Sequence, residues 1–188
     1  MANIATALTI SGAATFAIVV VWLHVERPDL NARDKGISHY AVGRTWAAMT
    51  AAFVALALGL AGAVVATIAR IPSPNAAGVV ALASAAVGVL IVAVVPVAGA
   101  TEAAWRAPAH TAGAVVFFVA AALGALLLST QLARPAGQVA TALVALVALF
   151  FIGMAGAPGL RTVRGWLQRG CVALIVAWLV VVGWQFAS

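Results

Sequence analysis

Six apolar stretches, near residues 5–24, 45–69, 76–98, 109–132, 137–157 and 167–186, alternate with short polar segments along this chain of 188 residues. A bilayer core about 30 Å thick is crossed by about 20 helical residues rising ~1.5 Å each, so every stretch predicts a transmembrane helix. In lipid the backbone must satisfy its own hydrogen bonds, which makes helix follow from hydrophobicity more strictly than in water. Breakers fall where connections are needed. Pro72-Ser-Pro74-Asn75 divides the second and third spans, Pro108 precedes the fourth, Arg134-Pro135 divides the fourth and fifth, and Pro158-Gly159 ends the fifth. Only Pro96 falls inside a run, where it should kink or terminate the third helix close to Glu102. Met1-Ala-Asn-Ile lacks the positive n-region of a cleaved signal peptide, so residues 5–24 read as a retained first span.

Composition supports the same class. The chain is 65% hydrophobic and 7% charged, where a soluble domain would carry roughly 25% charged residues. So little charge cannot clothe a water-exposed globule. The formal charge of +6 and pI near 11.5 do not point to nucleic acid, because the basic residues are short clusters flanking apolar runs. Arg27, Arg33, Lys35, Arg44, Arg106, Arg161, Arg164 and Arg169 lie at the odd-numbered connections; Arg70 and Arg134 lie at the even ones. The positive-inside rule then puts the odd connections in the cytoplasm and both termini outside a cell membrane. Trp22, Trp46, Trp105 and Trp166 fit an aromatic belt at the charged face, Trp184 lies near the opposite one, and Trp178 should pack between helices. The single cysteine, Cys171, excludes an intramolecular disulfide. The small residues scattered through the spans are read as sites of close helix approach.

All four carboxylates and all three histidines fall in or beside the odd connections. The first connection, near 25–44, is the only long polar segment. In it His24-Val-Glu-Arg-Pro-Asp-Leu-Asn31 is followed by Gly36-Ile-Ser-His-Tyr-Ala-Val-Gly43. Arg27-Pro28 should end the first span, and Ser38 could cap a short interfacial helix. Arg27, always charged and fork-shaped, suits a phosphate or carboxylate. Arg169, two or three residues into the last expected span, needs to snorkel or to pair with a carboxylate, and there it would join the positive end of a helix dipole.

The run Arg-Pro-Asp-Leu-Asn, then Ile-Ser-His-Tyr-Ala-Val-Gly, and later Leu-Gln-Arg opening the final span, resembles the membrane proteins of Domain of Unknown Function family 998. The likeness covers nearly the whole chain and rests on Arg27, Pro28, Ile37, Ser38, Tyr40, Gly43, His110, Gln168 and Arg169. Members commonly carry a Phe-Pro-Thr-Asp-like element after the third span, where this chain reads Val95-Pro96-Val-Ala-Gly-Ala-Thr-Glu102. Many also carry an acid after the serine, where this chain has His39. The resemblance implies six helices and a polar site at one membrane face, and it brings no established activity.

Several chemistries fit these residue types. Ser38, a histidine and Asp29 or Asp34 could form a hydrolytic triad, although no nucleophile-elbow glycines flank the serine. His24, His39, His110 and Glu102 are adequate metal ligands, but at no compact spacing. His24 and His110 could ligate haem, although both lie near the interface. A fourth expectation leads: Arg27, Ser38, Tyr40, Glu102, His110 and Arg169 line a site that binds, and in its extended form modifies, a lipid or other amphiphile. There Arg27 and Arg169 would neutralise an anionic group, and His110 and Glu102 could pass protons. No metal or cofactor is expected. The alternative is a non-catalytic structural or accessory subunit of a membrane complex, with the arginines setting topology only. The spans lack buried charge near the midplane, which weakens transport as a function. The expected fold is all-α, a single-domain bundle of six transmembrane helices.

Overall fold

The computed structural model describes residues 1–97, 103–156 and 158–187. The described residues are helical with irregular connections: α1 (Ala2–Glu26), α2 (Trp46–Arg70), α3 (Ala76–Val94), α4 (Arg106–Ser129), α5 (Ala136–Gly156) and α6 (Arg164–Ala187). All six are long and apolar enough to cross a membrane. Short 3-10 turns cover Ile37–Ala41 and Gly43–Thr45 before α2, and Pro158–Val163 before α6.

Local chemistry accounts for the ends. Asn75 caps α3, its side-chain oxygen accepting from the Gly78 amide at 3.0 Å. The third helix stops at Val94, because a residue preceding proline is pushed out of the α region and Pro96 cannot donate to the ladder. That end is four residues short of the expected one. Pro108, expected before the fourth span, instead sits in the first turn of α4, where its missing amide costs nothing. The last helix starts at Arg164, three residues earlier than hydrophobicity suggested, because the loop backbone supplies its first acceptor: the Gly165 amide donates to the Arg33 carbonyl at 2.9 Å.

Consecutive helices are neighbours, and α6 returns to pack on α1. Contact between α4 and α6 is sparse by comparison. Packing rests on small residues: a side chain at Gly12 of α1 would collide with the Ala55 carbonyl and the Gly59 backbone of α2. Such close approach is how helices adhere where lipid removes the hydrophobic drive. Phe16, Leu23, Met49, Leu56, Leu60, Leu82, Leu128 and Leu179 fill the interior. Trp178 is buried among the helices and donates to Ser129 Oγ at 2.9 Å, whereas Trp22, Trp46, Trp105, Trp166 and Trp184 are exposed.

The first, third and fifth connections emerge at one end. Arg164 Nε donates to the Asp34 carbonyl at 3.0 Å, Gln168 Oε1 accepts from the Ile37 amide at 2.9 Å, and His110 Nδ1 lies 2.7 Å from the Val95 carbonyl. Arg70, at the end of α2, donates to Asn3 Oδ1 at the opposite end. One rim therefore gathers the first connection, the end of α3 and the starts of α4 and α6.

Candidate functional site: a rim with two polar centres

At the rim the structure divides the expected site residues between two places. The first is a buried knot centred on Arg169. Because α6 starts at Arg164, Arg169 lies in its second turn rather than at its positive end, beyond the reach of a dipole effect confined to the first turn. Its guanidinium is buried. Nε donates to His24 Nε2 at 2.7 Å; Nη1 reaches the carbonyls of Lys35 at 2.6 Å, Ala32 at 2.9 Å and Gly165 at 3.1 Å; Nη2 donates to the Tyr40 hydroxyl at 3.2 Å. The charge also lies over the Tyr40 ring, 5.6 Å from its centroid. Among the described residues no carboxylate reaches it. The expected carboxylate partner is replaced by oriented carbonyls, which bring negative charge density with smaller desolvation than a second ion.

The same bonds fix His24. A guanidinium N–H needs a lone pair, so Nε2 is the acceptor, and Nδ1 carries the hydrogen that faces the Val20 carbonyl at 2.7 Å. Tyr40 packs edge-on against this ring at 5.4 Å and is 1% exposed. The connection can lie this close to α6 because residue 165 is glycine: a Cβ there would meet the carbonyls of Ala32, Lys35 and Arg33.

Arg27 forms a related clamp nearer the surface. Its Nε and Nη2 grip both oxygens of Asp29 at 2.8 Å, while Nη1 donates to the Val42 carbonyl and to Thr45 Oγ1. Thr45 passes its own hydrogen to the Tyr40 carbonyl at 2.7 Å. The Arg27 fork holds Asp29 below the ordinary carboxylate range, and the same hydrogen bond raises the arginine further. Four of the five Arg27 N–H directions thus serve the connection itself.

The second centre is a groove of about 410 Å³ on the other side of the connection, along the sparse seam between α4 and α6. Ser38, His39, His110, Arg164 and Gln168 form its polar end, and Ala114, Val115, Phe118 and Phe151 its apolar wall. Gly36 lets Gln168 in, since a Cβ there would overlap its Oε1. Ser38 sits inside the 3-10 turn whose cap is Gly36, so it caps nothing, contrary to expectation. His39 is half-buried, and burial is the main cause that lowers its pKa, with Lys35, Arg164 and His110 adding positive charge nearby. The exposed Arg164 uses only Nε within the described residues, which leaves its two Nη groups available at the groove it lines.

The six expected site residues therefore separate: Ser38 and His110 meet in the groove, Tyr40 and Arg169 meet in the knot, Arg27 clamps the connection, and Glu102 lies outside the described residues. Sequence reasoning did not place His39, Arg164 or Gln168 in the site. Gln168 stood among the residues carrying the family resemblance, and that was the available signal. The histidines form no metal-ligating cluster among the described residues.

An all-helical bundle with six membrane-spanning helices and its polar side chains gathered at one rim defines the class: a polytopic membrane protein. Within that class the chain belongs to the family described as Protein of unknown function (DUF998), whose model matches residues 10–185. No curated protein and no solved structure matches it.

Proposed function

We propose that this protein binds an amphiphile of the membrane, headgroup at the rim and chain along the seam between α4 and α6. One observation carries the reading: the groove joins a cationic, hydrogen-bonding end to an apolar wall within one continuous surface. That combination suits a molecule with an anionic or strongly polar head and a hydrocarbon tail. Arg164 meets the head, because Arg27 and Arg169 already donate to protein acceptors on most of their N–H groups. The excess of Lys and Arg at the odd connections orients this rim to the cytoplasm of a cell membrane, with both termini outside.

Purification in mild detergent, followed by native mass spectrometry and lipid extraction, tests the reading. Wild-type protein retains a lipid. Arg164→Gln, which removes a charge-assisted contact of about 1.5–3 kcal/mol, reduces its occupancy about tenfold. Ala114→Phe, which fills the groove, reduces it further. Undiminished retention in both variants overturns the groove as the site. Stoichiometric co-purification of other membrane subunits, with no retained lipid, would instead mark an accessory subunit.

A further inference from the structure

The groove does not end at its wall. It adjoins a second, smaller cavity of about 20 Å³, space for about one water, and Ser38, His110, Ala114, Phe118 and Gln168 line both. Three polar groups at this junction have no partner among the described residues. Among the described residues the Ser38 hydroxyl makes no hydrogen bond, and its oxygen keeps some solvent access. His110 faces the Val95 carbonyl through Nδ1, which leaves Nε2 as the nitrogen with a lone pair. Gln168 has its Oε1 occupied by the Ile37 amide, so only its NH₂ group remains available. None of the three is sealed from solvent, so each is open to a ligand that enters the groove. Here they are a hydroxyl, a base and a neutral donor, the three parts an acyl transfer needs.

We infer that Ser38 and His110 form a catalytic pair that cleaves a carboxylic ester of the amphiphile bound in the groove. The inference rests on the amphiphile reading above. In the first step His110 Nε2 takes the Ser38 proton while Oγ bonds to the ester carbonyl carbon. The carbonyl oxygen gains negative charge, and the Gln168 NH₂ group donates to it. The ester C–O bond then breaks, and the departing alkoxide receives the proton from His110. In the second step water from the interface attacks the acyl-serine and gives a proton to His110 Nε2. The acyl C–Oγ bond breaks and Oγ recovers the proton, so ester and water become alcohol and fatty acid. The Val95 carbonyl stands where a triad has its carboxylate, holding the imidazole in the required tautomer; neither Asp29 nor Asp34 hydrogen-bonds a histidine. An ester suits the site better than a phosphoester, because one neutral donor matches one developing oxyanion, whereas a transferring phosphoryl group spreads charge over three oxygens.

The test is covalent labelling of the detergent-purified protein by a long-chain alkyl fluorophosphonate, with the modified peptide located by mass spectrometry and retained lipid measured on the same preparation. Labelling at Ser38 is expected, absent in Ser38→Ala and slowed about 100-fold in His110→Gln, whose amide can still donate to Val95. An unlabelled wild-type protein that still retains lipid overturns the catalytic pair and leaves the binding reading standing. Loss of both label and lipid overturns the two together. Labelling at another residue, or at Ser38 with no dependence on His110, also overturns the pair.

Discussion

The knot and the groove share one rim and one connection, yet treat their polar groups in opposite ways. In the knot, Nε and both Nη nitrogens of Arg169 find acceptors, and His24 is bonded at both ring nitrogens. In the groove, among the described residues, Ser38 makes no side-chain hydrogen bond, His110 uses one ring nitrogen, and Gln168 uses only its oxygen. A satisfied buried network rigidifies, whereas polar groups left open to solvent can exchange water for a ligand at little cost. The difference assigns the knot to holding the connection down on α6, and it leaves the groove open for the ligand proposed above. Charge alone would have assigned them the other way, because the buried arginine is the more conspicuous residue.

Replacing Arg169 is the strongest way to break this contrast. Arg169→Met keeps length and apolar bulk but strands the carbonyls of Ala32, Lys35 and Gly165 along with the His24 lone pair. The expected loss is about 3–5 kcal/mol, read as a lower unfolding temperature in detergent. Arg169→Lys should recover only part of it, since one ammonium cannot serve acceptors spread around a planar fork. Unchanged stability in Arg169→Met with loss of bound lipid would exchange the roles of the two centres.

A smaller change strikes the same contact from the other side. Gly165→Ala places a methyl group against the carbonyls of Ala32, Lys35 and Arg33, which are backbone and can yield only if the whole connection lifts. Destabilisation of about 1–3 kcal/mol is expected, with Gln168 and Ile37 drawn apart as the loop moves. Faster amide hydrogen exchange at residues 32–38 would show that movement. No change in exchange there would mean that the connection is held by the Arg27 clamp and not by its seat on α6.

The same contrast explains what could be read in the sequence. The six spans were legible because each is a solid apolar run of membrane length, and Pro96 marked the end of α3 to within a few residues. The gathering of ionisable residues at one rim followed from counting connections. Partnership was not legible. The depth of Arg169 showed that it needed acceptors, but two of its closest are the carbonyls of Ala32 and Lys35, more than a hundred residues earlier, and a carbonyl leaves no mark in a sequence. The glycines at 36 and 165 were the indirect trace, since each marks a place where the loop and α6 approach within the space of a side chain. Arg164 counted only as a topology charge, although its position at the start of α6 is what brings it to the lining of the groove. Ser38 and His110 were recognised by residue type, and their convergence depends on the connection folding over the seam between α4 and α6.

The least effect concerns pH, and it probes the groove through His39. Burial holds His39 below its ordinary value of 6.5, so the unfolded chain takes up a proton on acidification before the folded chain does. The stability contributed by neutral His39 is complete above about pH 6.5. It declines as the pH falls from there through the lowered folded value. Asp29 acts in a separate, more acid window: its depressed value stabilises the fold above the ordinary 3.8, and that contribution fades as the pH drops through the folded value. The His39 share is well under 1 kcal/mol because the ring is half solvated, which corresponds to about 1–2 °C in unfolding temperature for a chain of this size. Thermal unfolding in detergent between pH 7.5 and 5 should therefore show a shallow acid decline that flattens in His39→Gln. If His39→Gln keeps the full slope, the proton responsible enters elsewhere.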